Sequence, residues 1–276
     1  MKNYKCLLNL AIHAPVYQEP LAFLEQVYFG TVRSMRKSSG QNAVLGLIGS
    51  MAQTVVFVMA FYFMFQLMGV RTSPIKGDYT LYFISGIAMF MTHNIAVQSV
   101  SKAEGPTSGM MQHAPMNTMI SVCLAALQSL YQQTITIGTI FLIYHLTFNP
   151  VDIFNPIGLA GVFLLSWFTG VVFLALTPWH PPLVNILLMV YRRVNMLASG
   201  KMFVANTLPS FMLAMFDWNP LFHCVDQARG MMFINYLPMH SNLSYPLKVA
   251  LVAVVLGLMG EFFTRKRASM SWGSTR

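Results

Sequence analysis

The stretch Met196–Pro238, MLASGKMFVANTLPSFMLAMFDWNPLFHCVDQARGMMFINYLP, sets the tightest limit on what this chain can fold into. It is too apolar for a loop in water. It is also too broken for one clean crossing of a bilayer. Gly200, Pro209, Asn219-Pro220 and Gly230 interrupt it, and Lys201, Asp217, Asp226 and Arg229 punctuate it with charge. An unpaired backbone group in lipid is costly, so irregular backbone at membrane depth survives only where protein buries it or where it lines a wet cavity. The stretch therefore reads as the end of a short spanning helix that turns back through re-entrant segments at the mouth of a conduit.

Composition points the same way. The 276 residues are 55% hydrophobic and 9% charged, against roughly 25% charged in ordinary soluble domains. So few charges cannot cover that much apolar surface in water, and an all-α polytopic membrane protein is expected. The formal net charge of +9 could suggest nucleic acid. The basic residues, however, gather at the chain ends beside long apolar runs, which fits orientation signals and anionic lipid headgroups and excludes nucleic acid as a partner. Cys6, Cys123 and Cys224 are far apart, and no CxxC pair occurs; neither a disulfide nor a metal site is expected. The first ~40 residues lack the compact apolar core of a cleavable signal peptide, so the first spanning helix is expected to target the chain.

Residues 1–42 form a cytoplasmic lead. Within it, Leu21, Leu24, Tyr28, Val32 and Met35 recur at helical spacing, while Glu25, Arg33, Arg36 and Lys37 occupy other faces. That pattern predicts an amphipathic helix over Glu19–Lys37, lying in the membrane interface. A six-helix membrane domain over 43–263 follows, with crossings near 43–69, 79–101, 117–148, 156–176, 183–206 and 247–263. Residues 264–276 form a basic cytoplasmic tail. The first crossing is about 40 Å long as a helix, enough to span with tilt. Gln128, Gln132, Gln133 and Thr134 give the third a polar stripe, expected to hydrogen-bond neighbouring helices.

Orientation follows from the flanks. Lys2, Lys5, Arg33, Arg36 and Lys37 precede the first crossing, and Arg265, Lys266, Arg267 and Arg276 follow the last. Both ends are basic, so both are expected in the cytoplasm, which requires an even number of crossings. No internal repeat is detectable, so inverted-repeat symmetry finds no support.

The chemistry that is missing narrows function. Ser199-Gly200-Lys201 has no glycine five residues before Gly200, so no phosphate-binding loop of the Walker type is present. No carboxylate falls inside the first five crossings, which argues against an ion-coupled carrier. No HExxH, GxSxG or paired-acid constellation sits in a plausible active-site setting. His93, His145 and His223 read as hydrogen-bonded packing residues. Arg192-Arg193 stand about 15 Å into the fifth helix, counted from the Pro181-Pro182 corner at the standard rise. Either they face a wet cavity and attract an anionic substrate, or the helix starts with a cytoplasmic extension and they snorkel at its boundary. Both readings put them near the inner mouth.

The order of these features resembles the permease subunit of ABC exporters for polysaccharides, of the capsule, O-antigen or polyol-phosphate type. In that family a basic amphipathic helix precedes six spans, and a short cytoplasmic loop between spans two and three docks on the ATPase. The fifth span leads into a Ser-Gly and aromatic segment, then a Leu-Pro, an Asn-Pro and a downstream Arg. Here those are Ser199, Gly200 and Phe203, Leu208-Pro209, Asn219-Pro220 and Arg229. The likeness runs from about Leu21 to Phe263, and its specificity lies in the order of short motifs. It implies a separate nucleotide-binding ATPase that carries ATP and Mg, no cofactor in this chain, two copies of each subunit, and a lipid-linked glycan entering from the cytoplasmic leaflet of a bacterial inner membrane. It also implies that Lys102–Met116 is the coupling loop, with Met110, Met111 and His113 entering the ATPase groove. Lys201 departs from the pattern, since members often carry an apolar residue there, and its charge points to an acidic glycan.

A long hydrated polymer needs walls that tolerate many identical units, and aromatic faces do so without demanding one register. Phe203, Phe211, Phe216 and Trp218 are the aromatic candidates for such a channel, with Arg192, Arg193 and Lys201 as its charges. Two rival expectations are an ABC exporter of a small amphipathic compound and a membrane enzyme or assembly factor of glycan synthesis. A glycosyltransferase would need clustered acids, and none cluster here.

Overall fold

The structure is a computed structural model that describes residues 24–33, 43–67, 78–103, 118–148, 150–171 and 181–273. Among these residues every regular element is helical. In chain order they are α1 (24–33), α2 (Ala43–Leu67), α3 (Tyr79–Ser101), α4 (Thr118–Thr147), α5 (Pro156–Val171), α6 (Pro181–Ala198), a 3₁₀ turn at Ala205–Thr207, α7 (Ser210–Phe216), α8 (Pro220–Met232) and α9 (Ser244–Gly273).

The ends of these helices are set by local chemistry. Asp78 caps α3, its Oδ1 accepting the Thr80 N–H at 3.1 Å, while its other carboxylate oxygen takes the Tyr144 hydroxyl from α4. The start of α3 is thereby tied to the end of α4. Asn155 plays the same part for α5, with Pro156 next and Oδ1 accepting from Gly158 N at 2.8 Å. Its own N–H donates to the Met231 carbonyl at 2.8 Å, which docks this cap on the end of α8.

The fold is built around α3. It packs against α2, α4, α5 and α8 and touches α6, and residues along almost its whole length are buried. α9 closes the outside of α5 and α8. Trp167 on α5 donates its indole N–H to the Ala126 carbonyl and to Ser129 Oγ on α4, both at 3.1 Å.

The core around α3 is mainly apolar, with polar and charged side chains buried among it. His93, Gln133, Asn195, Lys201 and Arg229 are each 1% exposed or less. By contrast Ile186, Met189 and Val190 on α6, and Val252, Val255 and Leu256 on α9, are more than half exposed. Exposed apolar side chains repeated along two helices are what lipid or partner contact requires, and in lipid the packing of helices relies on polar contacts and close fit more than on apolar burial. By length and composition, Tyr79–Ser101 is long and apolar enough to cross a membrane, and Met51–Ala60, Pro156–Val171 and Ser244–Gly260 are shorter apolar stretches.

The expected crossings and the helices differ in places. The fifth, read as 183–206, is helical to Ala198 and then breaks. The sixth, 247–263, lies within a longer helix that continues through the basic Arg265–Arg267 run to Gly273. Residues 172–180 and the loop bearing Met110, Met111 and His113 lie outside the described residues. Within the polar stripe of α4, Thr134 and Gln133 do not bond to neighbouring helices among the described residues. Thr134 and Thr136 turn their hydroxyls back onto carbonyls four residues earlier, and the buried Gln133 amide finds no protein partner among the described residues.

Candidate functional site

The break after α6 begins at Gly200, the one described residue with a positive φ, at 70°. A side chain there would be strained by the left-handed backbone and would also meet the Phe222 ring, 2.6 Å from an added Cβ. The turn continues with Phe203 N donating to the Gly200 carbonyl at 3.2 Å.

The turn is held by Arg229, which reaches across from α8. Nη1 donates to the carbonyls of Gly200 at 2.9 Å and Phe203 at 2.6 Å, and Nη2 donates to Lys201 O at 2.6 Å. The guanidinium carbon lies 4.1 Å from the centre of the Tyr82 ring on α3. Five donors in a rigid plane and an aromatic-stacking face suit Arg to this position and Lys poorly. Gly86, one turn along α3 from Tyr82, provides the space. A Cβ there would stand 2.7 Å from Arg229 Nη2 and 3.2 Å from Lys201 O. The sequence reading took Arg229 as a motif residue and missed Gly86, whose only local signal is a glycine within an apolar helix.

Lys201 turns inward. It is 1% exposed, its Nζ donates to Met196 O at 2.5 Å, and the ammonium lies 3.5 Å from the centre of the Phe90 ring and 5.6 Å from that of Phe57. The ammonium thus faces a backbone carbonyl and aromatic rings of α2 and α3.

A second network ties α6 to its neighbours. His93 Nε2 lies 2.8 Å from Tyr191 OH, and Nδ1 lies 3.1 Å from Thr169 Oγ1 on α5. Asn195, one turn after Tyr191 on α6, is buried, and its Nδ2 finds no hydrogen-bond partner among the described residues. Asn219 Nδ2 in turn donates to Asn195 Oδ1 at 2.7 Å and Ala198 O at 3.0 Å. Its Oδ1 caps α8 by accepting from Leu221 N, with Pro220 at the first helical position. Thr169, His93 and Tyr191 thus form one hydrogen-bonded set across α5, α3 and α6, and Asn195 and Asn219 form a second from α6 to the start of α8. Ser199 is fully buried beside it.

On the far side of the break the aromatic residues form a file. The Phe203 and Phe216 rings are nearly parallel, 8° apart with centres at 6.4 Å, and Phe216 to Phe222 is 6.1 Å. The file continues through His223 to Tyr245 at the start of α9. Phe211 stands exposed on α7 with no ring contact among the described residues, and Trp218 is 54% exposed at the α7–α8 corner. Pro209 precedes α7 in extended conformation. Arg192 is half-buried and Arg193 exposed on α6, and neither joins the Arg229 cluster.

Below the file, Asp226 accepts from the Tyr236 hydroxyl and from Ser241 Oγ, the latter at 2.7 Å. Burial, and the Asp226 carboxylate beside it, hold the Tyr236 phenol above its ordinary range and so protonated. The segment from 199 to 245 is therefore irregular in path yet closely cross-linked. No protein-family model matches this chain, and no curated protein matches it.

Proposed function

We propose that the chain is the membrane-spanning subunit of an ATP-driven exporter of a surface polysaccharide. It would cross the inner membrane six times with both termini in the cytoplasm and pair with a second copy. It would draw ATP hydrolysis, with its Mg, from a separate nucleotide-binding subunit. The substrate is a lipid-linked glycan of the capsule or O-antigen kind. The rival readings remain a small amphipathic cargo for the same machinery, and an enzyme or assembly factor of glycan synthesis.

The observation that carries this reading is the broken segment after α6. Its Ser199-Gly200, Leu208-Pro209, Asn219-Pro220 and Arg229 occur in the order that the resemblance requires, and Arg229 staples the first of these motifs from the last. The parallel Phe203 and Phe216 rings offer stacking surfaces along the same segment. The exposed apolar side chains along α6 and α9 support a lipid surrounding.

The test is purification of the tagged chain from native membranes in mild detergent. An ABC permease brings down an ATPase in equal amount, and Met110→Glu in the expected coupling loop abolishes that association. Recovery of the chain without any ATPase from intact membranes contradicts the reading.

A further inference from the structure

The corner between α7 and α8 and the connection from α8 to α9 enclose an open cavity of about 680 Å³, a volume typical of small-molecule sites. Its wall includes Asp217, Trp218, His223, His240, Asn242 and Tyr245. The frame is fixed by hydrogen bonds of its own. His223 Nδ1 accepts the Asn242 backbone N–H at 3.1 Å, and since that N–H can only donate, the ring proton sits on Nε2, 2.7 Å from the Asp217 carbonyl. The Tyr245 hydroxyl donates to Trp218 O at 2.6 Å. With the corner held, Asp217 Oδ1 lies 3.3 Å from His223 Nε2 while its side chain stays 60% exposed, the Trp218 indole is 54% exposed, and His240 is exposed beside them.

The wall's chemistry selects the ligand. Among the described residues no Lys or Arg lines the cavity, and Asp217 carries its one fixed formal charge, so an anion is repelled. A wholly apolar ligand would strip water from Asp217 and Asn242 without replacing it. The His and acidic side chains form no metal-holding group among the described residues. A ligand with an apolar ring face and many hydroxyls meets every requirement. The C–H face of a sugar covers the indole, and neighbouring hydroxyls donate to the Asp217 carboxylate.

We propose that this cavity is a saccharide subsite that takes a neutral or amino-bearing sugar on Trp218 and Asp217. It rests on the export reading for the source of that sugar, and it shifts the substrate class away from the acidic glycan that Lys201 suggested. Lys201 is enclosed between Phe57, Phe90 and Met196 O, whereas the Asp217 carboxylate touches His223 on one side and is otherwise exposed.

The test is calorimetric titration of the purified full-length protein with chitotriose, maltotriose, trigalacturonic acid and choline. At least one of the two non-acidic trisaccharides binds, and trigalacturonic acid binds at least about tenfold more weakly. Trp218→Ala and Asp217→Asn, both at exposed side chains, each weaken the sugar at least about tenfold with unchanged melting temperature. Four results overturn the subsite: no trisaccharide bound by folded protein, binding indifferent to both substitutions, tighter binding of the acidic sugar, or choline bound as tightly as any sugar. Failure here leaves export untouched, because export is read separately from where glycan accumulates in cells lacking the chain.

Discussion

Arg229 Nη1 and the Phe203 carbonyl stand 2.6 Å apart across twenty-six residues of chain. This bond, with those to Gly200 and Lys201, gives the irregular backbone after α6 the partners that lipid cannot supply. The break is therefore a built feature of the fold, fixed from α8 and braced on Tyr82 of α3.

Arg229→Lys keeps the charge and loses the fork and the flat face. At least one buried carbonyl of the turn then goes unpaired, at a cost of about 1–3 kcal/mol. Thermal unfolding of the detergent-purified protein should shift downward. A melting temperature equal to that of the unaltered chain contradicts the staple.

Gly86→Ala and Gly161→Ala should part company. The first puts a methyl group 2.7 Å from Arg229 Nη2 and 3.2 Å from Lys201 O, and such overpacking costs about 1–3 kcal/mol. The second meets nothing within 4 Å and gains about 0.5–1 kcal/mol from the stiffer helix. The same unfolding measurement decides it, and equal melting temperatures for the two variants contradict the packing described.

These two glycines mark where sequence reading stops. Nothing in the neighbours of Gly86 and Gly161 distinguishes them, because the difference lies in a guanidinium from a distant helix. Long apolar runs made α2, α3 and α4 legible nearly to their ends, since helix periodicity and caps such as Asp78 act locally. The fifth crossing, expected over 183–206, stays helical only to Ala198, and Gly200, an interruption visible in the sequence, stands at the break. The positive φ of Gly200 and the Asn219–Asn195 bond end it earlier, at Ala198. Lys201 was legible as an odd charge but not as an enclosed one, since its aromatic neighbours Phe57 and Phe90 come from α2 and α3. His93 and His223 are buried and hydrogen-bonded, as packing residues are, whereas His145 is exposed, with its Nδ1 accepting from Val151 N.

Cys224 should be chemically silent. It is fully buried on α8, and burial pushes its thiol up to about 12, so almost no thiolate exists at neutral pH. A chain carrying Cys6→Ser and Cys123→Ser takes up no maleimide near neutral pH until it is unfolded in detergent and denaturant. Rapid labelling of the folded protein would place α8 elsewhere.

Replacing Arg192 and Arg193 together by Gln separates their two readings. If the pair faces the substrate path, export falls while co-purification with the ATPase is kept. Normal export with normal assembly assigns both side chains to the lipid boundary.

The central claim is export of a glycan made inside the cell, and its most direct test is where that glycan goes when this gene is deleted. Surface polysaccharide and lipid-linked polymer in the cytoplasmic fraction are measured together. Loss outside with accumulation inside is the result that export requires. An unchanged surface, or loss in both places, contradicts it, the first pointing to another cargo and the second to a role in synthesis.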